Sequence, residues 1–177
     1  MGALILTGPP GVGKTTVAGI LARRDERAVH LEADHFFHFI RSGFIDPWDP
    51  DSGKQNEMVM KTAAEAAASY ATAGYATIFD GIVIPRWTLG VIRETLEEAG
   101  VPVSYAVLRA PRSVCLARFQ EREGDPDLLE PSILVGIGAE FDDLEAFERH
   151  AIDVAGMDAE QAAAAVAARL AGGDLAL

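Results

Sequence analysis

The sequence predicts an α/β fold in which one parallel sheet carries helices on both faces. Three observations predict it. Short apolar runs alternate with stretches of ten or more residues at helical spacing, and parallel strands need crossovers of that length. A glycine-rich turn joins the first apolar run to the first helical stretch. No linker or internal repeat divides the 177 residues, so they form a single domain over 1–177, a length that buries a real core.

Residues 3–7 read as a first strand that runs into the glycine turn. Residues 15–24 follow as a helix, with Val17, Ile20 and Leu21 on one face. A second strand spans 28–33, and Asp34 behind it can cap a brief helix over 36–40. The stretch 42–54 is rich in Gly, Pro and Asp and reads as loop. An alanine-rich helix over 55–73 ends at Gly74. The third strand, 76–79, closes at Asp80-Gly81; a helix over 86–99 stops at Gly100; a fourth strand spans 103–108. Residues 112–122 form a helix with its basic residues toward the C-terminal end, and the acidic, proline-bearing stretch 123–131 reads as a mobile connection. Residues 132–149 are expected to be mostly helical, 151–154 a fifth strand and 158–170 a closing helix. The alanine run 162–165 fits helix propensity.

The formal net charge is -12. A surface that acidic repels phosphate backbones, so no nucleic-acid partner is expected, although a local cluster of cations and amides can still hold a small anion. The single cysteine, Cys115, cannot form an internal disulfide and suits a reducing compartment. No apolar run reaches bilayer length, so no membrane partner is expected. The first residues lead straight into the glycine loop, leaving no room for a signal peptide. A cytoplasmic monomer or homodimer is the expectation.

Gly8-Pro9-Pro10-Gly11-Val12-Gly13-Lys14-Thr15 matches the phosphate-binding pattern G-x-x-x-x-G-K-[ST]. The chemistry explains the spacing. Glycines let the backbone curl so that successive N–H groups point at one anion, and the following helix adds its positive end. Lys14 can reach the β- and γ-phosphates, the Thr15 hydroxyl can ligate magnesium, and Thr16 is placed for the α-phosphate. The implied ligand is ATP with Mg2+.

Ligands of open parallel sheets bind beyond the carboxyl ends of the strands. Glu32 and Asp34 stand at the second strand's end, where residues two apart face one side, and Asp80 ends the third. The bland reading of Asp34 is a helix cap and of Glu32 a solvated strand end; the functional one is an acid–base group and a metal-supporting carboxylate. Asp80 is the expected partner of phosphate-bound magnesium. Arg118 and Arg122 lie four apart on one helix face and can clamp a base or a transferring phosphate, or simply pair with Glu121 and Glu123. Arg109 and Arg112 are weaker candidates. The aromatic cluster Phe36, Phe37, Phe39, Phe44 and Trp48 is either local core or the wall of an acceptor pocket, with Arg41 or Arg86 fixing a polar group. His35 and His38 lack the further ligands of a zinc site.

Together these motifs resemble the small P-loop kinases: shikimate and gluconate kinases, the chloramphenicol phosphotransferase and the zeta-toxin kinases. The resemblance runs from Leu4 to about Leu170. It rests on the glycine loop, the Asp34 segment, Phe79-Asp80-Gly81, Leu108-Arg109-Ala110-Pro111 leading into Arg118-x-x-x-Arg122, and Ile152-Asp153-Val154. It implies a three-layer P-loop NTPase fold like that of nucleoside monophosphate kinases, with strand order 2-3-1-4-5. It also implies an acceptor segment at about 35–55, a lid at about 118–135 and transfer of the ATP γ-phosphate to a hydroxyl of a small molecule. Asp34 then matches the group that takes the acceptor's proton, and Arg118 and Arg122 the lid arginines. An antibiotic, a sugar-like metabolite, and a nucleoside or nucleotide stay open as acceptors. The non-enzyme alternative is a nucleotide-binding regulatory protein. The only asparagine, Asn56, is followed by Glu57, which excludes the Asn-Lys-x-Asp signature of GTPases.

Overall fold

The structure is a computed structural model and describes residues 2–120 and 130–177. Five strands form it: β1 (Ala3–Thr7), β2 (Ala28–Glu32), β3 (Ala76–Asp80), β4 (Val103–Arg109) and β5 (Ala151–Asp153). All pair in parallel, in the order β2-β3-β1-β4-β5. The helices are α1 (Lys14–Ala22), α2 (Gly53–Thr72), α3 (Gly90–Glu98), α4 (Arg112–Gln120), α5 (Pro131–Ala139) and α6 (Ala159–Ala171).

Strand side chains alternate between faces, and the two cores follow that alternation. Ile5, Leu31 and Phe79 point to the layer of α2 and α3, where Ala63, Ala64, Ala67, Ile92 and Leu96 are buried. Leu4, Leu6 and Ile78 point to the layer of α1 and α6, with Val17, Leu21, Ala163 and Val166. β1, buried at all five positions, is the central strand. The glycine loop that follows it is therefore anchored to the buried centre of the sheet.

Several boundaries differ from the sequence reading. The loop over 42–54 contains a short 3-10 turn, Pro50–Ser52, capped by Asp49, whose side chain accepts from Asp51 N, and α2 begins at its end. Ahead of α3 the chain makes one wide π-type turn, Pro85–Leu89. The long helix expected over 132–149 is two pieces, α5 and a 3-10 segment Glu145–His150. At the first residue of the 3-10 segment, Glu145 adopts φ 51, outside helical geometry, and its N–H is taken by the Asp143 side chain. The expectation for 123–131 falls mostly outside the described residues, as does half of the lid expected over 118–135.

The final residues return to β4. β5 pairs only with residues 107–109, and beside the first half of β4 the chain lays Leu175–Leu177 in the opposite direction. Tyr105 N donates to Leu175 O at 2.8 Å and Leu177 N to Val103 O at 3.1 Å, while the Leu175 side chain is fully buried.

Candidate functional site

Thr7 ends β1 and accepts a hydrogen bond from Val83 N at 2.8 Å, tying the start of the glycine loop to the chain beyond β3. Two glycines are demanded by close approach. A Cβ at Gly8 would lie 2.3 Å from Leu108 O, and one at Gly11 would lie 2.1 Å from Cys115 O, both at positive φ. The loop is thus clamped between the end of β4 and α4. Gly13, at φ 104, is the N-cap of α1 and faces open space. No acidic residue sits in the first turn of α1, so nothing in that turn offsets the helix's positive end. Lys14 is buried and its Nζ reaches back across the loop to Pro9 O at 3.4 Å. Thr15 and Thr16 are exposed at the same helix end. A loop so placed can surround a polyphosphate with amides, one ammonium and two hydroxyls.

The carboxylates gather opposite. β2 ends at Glu32, and a 3-10 helix, Ala33–Phe39, starts at once. Asp34 therefore lies in the first turn rather than on the strand; the N-cap position is held by Glu32, so the capping role expected of Asp34 is not realised. Its surface opens to solvent, but protein mass around the carboxyl desolvates it and holds it above the usual carboxylate value. Lys14 opposes that shift, Asp80 adds to it, and His35 and Glu32 act as a lesser pull and push. Lys14, Asp34 and Asp80 thus share one electrostatic site. Glu32, half-buried, pairs across the register with Asp80 and stands 3.9 Å from His35 Nε2.

Asp80 is buried. His30 Nε2 lies 3.0 Å from its Oδ2, while Oδ1 has no hydrogen-bond partner among the described residues. A buried, unpaired carboxylate oxygen suits a divalent cation or the water that such a cation holds. With the Thr15 hydroxyl at the loop, these donors fit magnesium bound through phosphates. Among the described residues no three His, Cys, Asp or Glu side chains converge to hold a metal unaided.

Beside the loop lies a cavity of about 300 Å³, bounded by Gly11, Thr16, Arg118, Val154, Met157 and Ala159 among others. Arg118 is exposed at its rim and donates to Val12 O at 3.5 Å. The opening suits the nucleoside of a nucleotide whose phosphates occupy the loop. Its far wall, Val154 to Ala159, was missed in the sequence, although it follows the carboxyl end of β5 just as Asp34 follows β2. His30 was missed too; its only signal was period 2, which puts it on the face of Glu32. Arg122 lies outside the described residues.

The expected acceptor residues are not all brought together. Phe37 is 7% exposed and packs in the core, because the three-residue turn of the 3-10 helix carries it inward; it is not a pocket wall. Phe36 is half-buried against that core, and Phe39, 72% exposed, meets it edge-on at 5.7 Å. Phe44, Trp48 and Trp87 are exposed, as is Arg41. Arg86 is held in an ion pair with Glu140 and lies over the Trp87 ring at 5.6 Å. The weaker candidates Arg109 and Arg112 are also paired, Arg109 with Glu148 in a two-bond fork of 3.0 and 2.8 Å and Arg112 with Asp142.

Sheet order, a phosphate loop at the head of α1 and carboxylates beyond β2 and β3 define the class: this is the fold of the small P-loop kinases. The chain belongs to the AAA domain family, whose model matches residues 4–131. No curated protein matches it significantly. Among solved structures, a sugar kinase from Janibacter sp. HTCC2649 is similar at 24% identity and TM-score 0.72, covering 97% of this chain and 95% of that one. The tunicamycin resistance protein of Deinococcus radiodurans shares 24% identity at TM-score 0.71 over 96% and 95%. The APS kinase of Mycobacterium tuberculosis, solved with AMPPNP and APS, shares 17% at TM-score 0.72 over 96% and 97%. At such identities the likeness establishes the fold. No helix among the described residues is long and apolar enough to cross a membrane.

Proposed function

We propose that the protein is an ATP-dependent phosphotransferase acting on a hydroxyl of a small molecule. The observation that carries this reading is Asp34: a carboxyl in the first turn beyond β2, raised above its ordinary value by burial and within the electrostatic reach of the phosphate-loop lysine. A group that binds a proton more readily than a free carboxylate is suited to accept one from an attacking hydroxyl.

The loop amides and Lys14 hold the β- and γ-phosphates in line with the acceptor. Thr15, with Glu32 or Asp80 in support, would hold magnesium, which would supply positive charge against the developing phosphate charge. The acceptor oxygen attacks the γ-phosphorus, the bond to the β-phosphate oxygen breaks, and ADP leaves. The hydroxyl proton passes to an Asp34 carboxylate oxygen. Arg118, at the rim of the cavity beside the loop, is placed to reach the transferring group and help exclude water.

The test is ATP hydrolysis measured without an acceptor and then with hydroxyl compounds from three classes: antibiotics, sugar acids and nucleosides. The expected result is ADP release that one class stimulates, with a phosphorylated product seen by mass spectrometry. Nucleotide binding with no stimulated turnover by any class would assign the chain to a regulatory, non-transferring role instead.

A further inference from the structure

His30 takes no part in the phosphate-loop chemistry, yet its position is specific. Residues 28, 30 and 32 of β2 share one face, and the register sets His30 beside Ile78 and Glu32 beside Asp80. The imidazole therefore leans one pleat along the sheet to reach Asp80, with Nε2 3.0 Å from Oδ2. A carboxylate only accepts hydrogen bonds, so the Nε2 proton is donated to it. The side chain of Asp80 is 3% exposed and that of His30 is 18% exposed, so little water competes for this bond.

What the bond leaves undone is as informative. Rotation about the last side-chain torsion of Asp80 would turn the plane of its carboxylate and re-aim the free oxygen. One bond from a ring fixed on β2 holds that plane, and the buried Oδ1 keeps no partner among the described residues. Polar groups buried this deeply are normally satisfied, and a pair serving stability alone has no reason to leave half of its carboxylate unmet. We infer that His30 is a positioning residue: by holding Oδ2 it reserves Asp80 Oδ1 for the magnesium of a magnesium–nucleotide complex. This rests on the nucleotide-binding reading above. Partners that orient a metal-supporting carboxylate in this way tune affinity for the metal and not for the nucleotide itself.

The experiment is calorimetric titration with a non-hydrolysable ATP analogue, once in excess magnesium and once in EDTA. His30→Phe keeps a ring but loses the donor. It should weaken binding about tenfold in magnesium and leave binding in EDTA unchanged. His30→Gln, whose amide nitrogen can occupy the Nε2 position, should recover most of the loss. His30→Asn, too short to place a donor there, repeats the test with a smaller side chain should the Phe variant not fold. Equal weakening in both buffers, no weakening in either, or failure of Gln to rescue overturns the inference and leaves His30 as a packing residue. A wild-type protein that binds the analogue in neither buffer overturns the nucleotide reading itself, a result the variants do not mimic.

Discussion

Asp34 holds a negative charge where the fold disfavours it. Its carboxyl binds a proton more tightly folded than unfolded, so ionisation opposes folding: stability falls as pH rises from the ordinary value of 3.8 through the raised folded value. Above that window the penalty is fully present. Asp34→Asn should therefore raise the melting temperature of the ligand-free protein at pH 7, by about 1–2 °C because the group is partly open to solvent. The same variant should lose phosphoryl transfer while still binding the nucleotide. Differential scanning calorimetry at pH 7 and below 4 checks this; an unchanged melting temperature at pH 7 would count against it. Residues of this kind divide cleanly in legibility. The loop from Gly8 to Thr15 was readable because its function is local to consecutive residues. Phe37 was not, because whether an aromatic faces core or cleft depends on the turn that carries it.

Among the helices, α1 works close to its minimum, nine residues long with a glycine inside it. Gly19 has an ordinary helical conformation, and an added Cβ would meet only Arg23 Nη1 at 3.5 Å and His30 Nδ1 at 4.0 Å. Both are ordinary contacts. Gly19→Ala should stabilise by about 0.5–1 kcal/mol through helix propensity and a less free unfolded chain, raising the melting temperature by about 1–4 °C. A lowered value in thermal unfolding would show that Arg23 or His30 cannot yield. α6 was legible to within a residue because Asp158 and Gln161 form a reciprocal capping box at its start. The stretch 132–149 was not: its apolar spacing continues past Ala139, and the break is revealed by the local side-chain bonds of Glu148 and Asp143 and the long-range pairing of Glu148 with Arg109. The strand order came from family resemblance, since alternation alone leaves several orders open.

For the molecule as a whole, stability should decline on the acid side in two steps. His150 is buried; its Nδ1–H donates to Tyr105 O at 3.0 Å and its Nε2 accepts from Arg149 Nε at 3.1 Å. Burial, reinforced by Arg149 and Arg169 and opposed by the bond to Tyr105, lowers its value from 6.5. The unfolded chain thus binds a proton first, and stability falls as pH drops below 6.5 through the lowered folded value. Glu148 is drawn from 4.5 to about 2 by the Arg109 fork and by Leu144 N, so its contribution is lost between those values. Asp34 acts in the opposite sense, which is why variants are compared rather than curves summed. His150→Gln should flatten the fall in melting temperature between pH 6.5 and 5, and Glu148→Gln only the part below 4.5. A wild-type curve that matches His150→Gln across the first window would refute the assignment. Neither step was visible in the sequence, because both come from partners 39 and 45 residues away.

The antiparallel return of residues 175–177 has a practical consequence. Those three residues screen backbone donors and acceptors of β4 that the three-residue β5 is too short to reach. Cutting them away would leave an unprotected strand margin, the kind of template on which separate chains stack into oligomers. A variant ending at Asp174 should scatter more light on warming and give less monomer by gel filtration than the full chain. Identical monomer recovery for the two would show that the screen is dispensable.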